Sequence, residues 1–271
     1  MITYDDFLKI DQEVKSGVIQ ALDYLKQKSM NYILFLAKGE YKFQYEYSHL
    51  NLNPYMIDSR EEGWKDKDRS AFYINFMETF YTFNNKKPTN DDHNRIHMEL
   101  MIYAHIWESK HFLRQLYRLT LLIEGQTYPW EVKIPDMGKH NLIREGIRTP
   151  LRKRQLKLGS IISKGFHTSL RNAFAHSEYY FNEPTKKIIL ETYSGKPWDI
   201  ADLTFNDWSK RFAYSVLLSY HLNNEIYIKR QSVIDDFNTD EFVIIHPITK
   251  SRFRAIYIKY EHTFDAFRFV Y

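Results

Sequence analysis

A mainly α-helical bundle decorated with short β-hairpins is the fold class this sequence predicts, and three observations predict it. Apolar residues recur at three- and four-residue spacing over five long stretches, the period of a one-sided helix. Alternation at period two is confined to brief runs flanking turn residues. Only nine glycines are present, with no Gly-rich phosphate loop and no Gly-x-Ser-x-Gly elbow, which leaves a nucleotide-binding α/β fold without its usual turns.

The elements follow in chain order. Thr3 is placed to cap a helix over residues 4 to 27, with Asp5 and Asp6 in its first turn and Phe7, Ile10, Val14, Val18, Leu22 and Leu25 on one face. Tyr41, Phe43, Tyr45 and Tyr47 alternate with polar residues and suit a small hairpin. Residues 51 to 69, with Pro54, Gly63 and many charges, read as a loop, and Phe72, Phe76, Phe80 and Phe83 then mark a second helix ending near Asn84. From Asn90 to about Glu124 runs a long helix, apolar on most sides, closed by Gly125.

Pro129, Pro135, Gly138, Gly146 and Pro150 make residues 126 to 150 a connector. A further helix over residues 151 to 175 turns Leu158, Ile162, Phe166, Leu170 and Ala173 to the core. Tyr179 to Phe181 and Ile188 to Leu190 flank Asn182-Glu183-Pro184-Thr185 as strand, turn and strand, and Thr204 caps a last helix ending near Asn223. Phe242 to Ile245 and Ala255 to Tyr260 form a closing hairpin. The expected organisation is an N-terminal extension over residues 1–88 packed on the core, the helical bundle over 89–225, and a C-terminal hairpin extension over 226–271.

Composition narrows the chemistry. The chain has 271 residues, 44% of them hydrophobic and 17% aromatic, enough for one large or two small ordered cores. No apolar run is long enough to span a bilayer, and the N-terminal residues lack a signal-peptide pattern, so a cytoplasmic location away from membranes is expected. With no cysteine, thiolate catalysis and Cys-based metal sites are excluded, leaving His, carboxylates, Arg, Lys and hydroxyls. His93 and His97, with Asp91 and Asp92 nearby, have helix spacing for a metal face, but the acids are also the ordinary residues of a helix start, and we expect neither metal nor cofactor.

The net charge of +4 is unevenly spread: residues 144 to 164 hold seven Lys or Arg against one acid, Glu145. Within this region Arg152, Lys153, Arg154, Lys157, Lys164 and His167 are candidate RNA contacts, with Tyr128 and Trp130 as candidate base-stacking rings. On the helix approaching residue 175, Lys157, Lys164, His167, Thr168 and Arg171 fall on one polar stripe.

That stripe leads into Arg171-Asn172-Ala173-Phe174-Ala175-His176. Cutting RNA without a metal requires a group that moves protons between the 2′-hydroxyl and the leaving oxygen, and a fixed cation for the phosphorane-like charge. His176 and Arg171 are residues of those two kinds, and Asn172 is suited to orient them. In a straight helix Arg171 and His176 lie about 140° apart, so they converge only where the helix ends or bends. A plainer reading makes them an exposed cation and a helix-end imidazole.

Leu170 to His176 resembles the Arg-Asn-Ala-x-x-His motif of HEPN ribonucleases, and the likeness extends over residues 90 to 225, with a long helix before the motif and a hairpin and last helix after it. The resemblance implies an HEPN-like bundle that forms a homodimer, two Arg–His pairs making one composite metal-independent site that cleaves RNA. It also implies a setting in toxin, abortive-infection or other antiviral defence, with an antitoxin or defence-system partner. Glu178 stands where members paired with a nucleotidyltransferase antitoxin carry Tyr, and Tyr179 follows it. Glu108, in a polar seam with His111, Gln115 and Arg118, is the candidate acidic residue that family members carry on the preceding helix. The other reading is a non-catalytic RNA- or protein-binding module, or a structural dimer that serves a separate enzyme.

Overall fold

The computed structural model describes residues 1–42, 53–58, 60–191 and 199–270, the stretch 60–67 by its backbone alone. Helices dominate, and three small antiparallel sheets sit around them. Helix α1 (Tyr4–Lys28) begins where expected, Thr3 Oγ1 accepting the Asp6 amide at 3.1 Å, and buries Val14, Val18, Leu22 and Leu25 completely. It packs on the long helix α9 (Phe205–Gln231), so α1 is part of the core.

After the short α2 (Tyr32–Leu36), β1 (Glu40–Tyr41) pairs with β2 (Tyr55–Met56). Phe43, Tyr45 and Tyr47 lie outside the described residues. Helix α3 (Arg60–Phe80) replaces most of the loop expected over 51 to 69. Charged side chains are good helix formers, and one glycine costs only about 1 kcal/mol, so charge density alone is a poor sign of a loop. Its packed residues are Tyr73 and Phe76 rather than Phe72, which is exposed; Phe83 lies beyond the helix in left-handed backbone.

The long helix expected over 90 to 124 is two helices. Asp92, not Asn90, caps α4 (His93–Glu108), and Ser109 (φ −63°, ψ 108°) ends it while capping α5 (Lys110–Ile123) through the Phe112 amide. Inside the bundle Glu99 accepts hydrogen bonds from Tyr81 at 2.7 Å and Trp208 at 2.8 Å and faces fully buried Arg95 at 3.2 Å, which supplies the counter-charge such a carboxylate needs.

The expected connector is partly helical: the turn Lys139–Asn141 runs into a π-helix (Leu142–Arg148) and α6 (Thr149–Lys153). The helix expected from 151 to 175 is three pieces, α6, α7 (Lys157–Gly165) and α8 (Thr168–Ala175), although Leu158, Ile162, Phe166, Leu170 and Ala173 are all buried as anticipated. The hairpin β3 (Tyr179–Asn182) and β4 (Lys187–Leu190) gains a third strand, β5 (Asp202–Thr204), and leads into α9.

Helix α9 continues past the stop expected near Asn223. Ile226 is buried, and Arg230 is clamped by Asp58 at 2.8 Å and Asp265 at 2.9 Å, long-range contacts that outweigh two indifferent asparagines. Beyond the short α10 (Val233–Phe237), the closing sheet joins β6 (Glu241–Pro247), β7 (Phe253–Glu261) and an unanticipated third strand, β8 (Ala266–Phe269). Among the described residues no helix is long and apolar enough to cross a membrane.

Candidate functional site

Two helix breaks build the site. The first, at Ser109, leaves Glu108 at the C-terminal end of α4 instead of in mid-helix. The second separates α7 from α8. Gly165 lies so close to α9 that a Cβ there would stand 3.1 Å from Ser215 Oγ, and Phe166 leaves helical backbone (φ −90°, ψ 136°) to pack on Trp107 with ring centroids 5.0 Å apart. His167 is also extended, its amide donating to Tyr103 Oη at 3.0 Å, while its Nδ1 accepts the Ser169 amide at 3.2 Å and caps α8. The polar stripe of a continuous helix is thereby interrupted: Lys164 turns to Glu13 and Tyr214 on the far side of the break.

Helix α8 is fixed through its buried face. Leu170 and Ala173 are fully buried, and Phe174 meets Trp208 and Tyr179 edge-on at 5.0 and 5.2 Å. The opposite face presents Arg171 and Asn172, half-buried, and ends in exposed Ala175 and His176. His176 is the C-terminal cap, with φ −102° and ψ 2°, its amide bonded to Asn172 O at 3.0 Å, and Ser177 follows in left-handed backbone. Helix α8 thus ends at His176, five residues after Arg171.

Arg171 is held at both prongs. One Nη donates to Asn172 Oδ1 at 2.8 Å and the other to Glu108 Oε1, whose second oxygen accepts from Lys139 Nζ at 2.9 Å. Lys139, only 8% exposed at its side chain, also donates to the Asp136 carbonyl at 3.0 Å. Burial lowers the Arg171 guanidinium from its ordinary value, with Tyr103 acting in the opposite sense, and the group stays cationic at neutral pH. The chain Asn172, Arg171, Glu108, Lys139 thus fixes a cation on the helix that ends in an exposed His176.

Arg171, Asn172 and Glu108 thus join in one network, with His176 at the end of the same helix. The remaining seam does not: Gln115, next to His111, and Arg118, donating to the Pro129 carbonyl at 3.3 Å, are buried beyond the Ser109 break. Of the expected RNA contacts, Arg152, Lys153 and Lys157 are exposed and His167 is half-buried, whereas Arg154 pairs with Glu124 at 2.9 Å. Tyr128 and Trp130 are not available for stacking. Both are buried, Tyr128 donating to Gly39 O at 2.8 Å and Trp130 meeting the His246 ring at 5.2 Å. His93 pairs with Glu183, and His97 Nδ1 lies 3.0 Å from the Tyr179 hydroxyl, so both hold the β3–β4 hairpin.

Lys139 escaped the sequence reading because it lies in a Pro/Gly-rich stretch with no periodicity to mark it. Arg211 escaped as well: it stands on α9 with Nη1 3.5 Å from the carbonyls of Ser163 and Gly165 at the second break. No family model, curated protein or solved structure matches this chain.

Proposed function

We propose that this chain is a metal-independent endoribonuclease of the HEPN type with an HEPN-like bundle, working as a homodimer whose two Arg171–His176 pairs form one site. The observation that carries the reading is the end of α8, where an exposed His176 follows an Arg171 held in place by Asn172 and Glu108. In the reaction the 2′-oxygen forms a bond to phosphorus as the bond from phosphorus to the 5′-oxygen breaks. The 2′-hydroxyl proton leaves and a proton is delivered to the departing 5′-oxygen. His176 acts as acid or base in that exchange, and Arg171 stabilises the equatorial oxygens. Asn172 and Glu108 are positioning residues, and the products end in a 2′,3′-cyclic phosphate and a 5′-hydroxyl.

Self-association is supported by α4, whose surface stripe His97, Met101 and His105 lies on the helix that packs against α8, with Met101 66% exposed. A defence or toxin setting with a partner protein, in the cytoplasm, is the biological context we propose on the motif. One observation favours a second reading: the guanidinium that would bind phosphate already faces Glu108, as in a module that binds RNA or protein without cutting. Wild-type protein and His176→Ala, incubated with total RNA in EDTA, separate the two. Cyclic-phosphate-ended fragments from wild type alone are expected. No cleavage by either folded, dimeric protein would transfer the assignment to the binding module.

A further inference from the structure

The second helix break gathers positive charge that the proposed cleavage chemistry does not use. Burial first, and then the charges of Arg211 on α9 and of Arg144 and Arg148 on the π-helix, hold the His167 ring down to about 4 against the opposite pull of Asp199, so it is neutral at physiological pH. Because Nδ1 accepts the Ser169 amide, the proton of the neutral ring is placed on Nε2, which makes that atom a donor. Arg144, Arg148 and Arg152 follow at four-residue intervals, a like-charge row that opposes helix formation unless something answers it.

Little in the chain answers it. Glu145 reaches Arg144 only at 3.9 Å, and Asp199, whose amide is held by Ser169 Oγ at 3.2 Å, is the carboxylate that bears on the His167 ring. Arg148 Nε is out of solvent contact and has no hydrogen-bond partner among the described residues. Among the described residues Arg211 makes two long carbonyl contacts, those already given at 3.5 Å. Other part-buried arginines are differently placed, Arg114 on Glu40 at 2.7 Å and Arg230 on Asp58 and Asp265. The backbone holds the row in place: Gly159 of α7 approaches so closely that a Cβ there would stand 2.8 Å from Arg152 N and 3.1 Å from Arg148 O. A seven-residue π-helix is itself an uncommon element, and π-helical turns are frequent at functional sites.

We propose that Arg144, Arg148 and Arg211, arranged around His167, form a second phosphate subsite that takes a backbone phosphodiester of RNA next to the one held at Arg171. This rests on the RNA reading above and adds the ligand's path to it. His167 stands one turn before Arg171, whose amide bonds to His167 O at 3.1 Å, so the backbones of the two residues are about 6 Å apart along α8. That is the scale of one phosphate step in an extended strand, and guanidinium groups answered only by long contacts, with Arg148 Nε unpartnered among the described residues, suit an anion that brings its own charge.

The test uses a fluorescein-labelled 12-mer RNA carrying 2′-O-methyl sugars throughout, which offers no free 2′-hydroxyl for cleavage. Arg144→Ala with Arg148→Ala is expected to weaken binding about tenfold or more and to lower the slope of log affinity against log salt by about one to two, while Lys250→Ala, at an exposed lysine between β6 and β7, stays within twofold. Arg144→Ala alone reports if the double variant fails to fold, and Arg148→Lys is expected to recover part of the loss. Affinity within twofold of wild type with an unchanged salt slope, or no binding by wild type, would overturn the subsite. Cleavage is read separately. Arginine-dependent binding by a wild type that never cuts RNA supports the subsite and removes the nuclease reading, and cleavage with arginine-independent binding does the reverse.

Discussion

Glu108 accepts from Arg171 and Lys139 at once, so Glu108→Gln tests the network where two cations depend on one carboxylate. The amide keeps the shape but places an NH2 against one of the cations and removes the charge that both of them share. Stripping one partner from a buried ion pair costs about 3–5 kcal/mol, whereas an exposed pair is worth about 0.2–1 kcal/mol. Lys139 is 8% exposed, Arg171 22% and Glu108 32%, which places the site between those limits and gives an expected loss of about 1.5–3 kcal/mol. Urea unfolding at pH 7 reads it, and thermal unfolding should move down by roughly 3–9 °C. Lys139→Met removes a cation that would otherwise be stranded, so the double variant should be more stable than the two single losses added together, with a coupling of at least about 1 kcal/mol. A Glu108→Gln protein within about 0.5 kcal/mol of wild type, or a coupling near zero, would refute the network as an energetic unit. In the cleavage assay the variant is expected to lose turnover while RNA affinity holds or rises, because a negative charge leaves the phosphate's neighbourhood.

Other expectations follow from single contacts. His167 is held at about 4, below its unfolded value, so between pH 6.5 and 4 the unfolded chain takes up a proton that the folded ring refuses. Stability should therefore fall as pH drops through that window, by roughly 2 kcal/mol once partial exposure is discounted. His167→Asn keeps an N-cap acceptor without titrating and should flatten that part of the pH profile; an unchanged profile would assign the dependence elsewhere. Gly159→Ala should cost about 1–3 kcal/mol by pushing α6 and the π-helix off α7, and should weaken RNA binding through Arg148, measured by unfolding and anisotropy together. Met101→Glu should shift sedimentation toward monomer and abolish cleavage while preserving the fold, and a dimeric, active variant would move the interface to another surface.

The readable parts of this protein were those written in adjacent residues. Thr3 and Thr204 cap helices because a hydroxyl three residues before an amide needs nothing else, and both caps form as expected. The core faces of α1 and of the segment from Leu158 to Ala173 followed from a period that holds even where the helix is broken. The β3–β4 turn and the Arg171-to-His176 segment were likewise visible as spacing. Tertiary structure decided where the helices break. Ser109 and the stretch from Gly165 to His167 carry no proline, and they leave helical backbone because Ser109 caps α5, Gly165 lies against Ser215, and Phe166 packs on Trp107. Those breaks bring Glu108 to Arg171, admit Lys139 from a stretch without periodicity, and set Arg211 beside His167 from a helix more than forty residues away. Tyr128 and Trp130, surface rings by sequence, are core because Gly39, Tyr55 and His246 come against them: burial is a property of what arrives from elsewhere in the chain, and no local pattern encodes it.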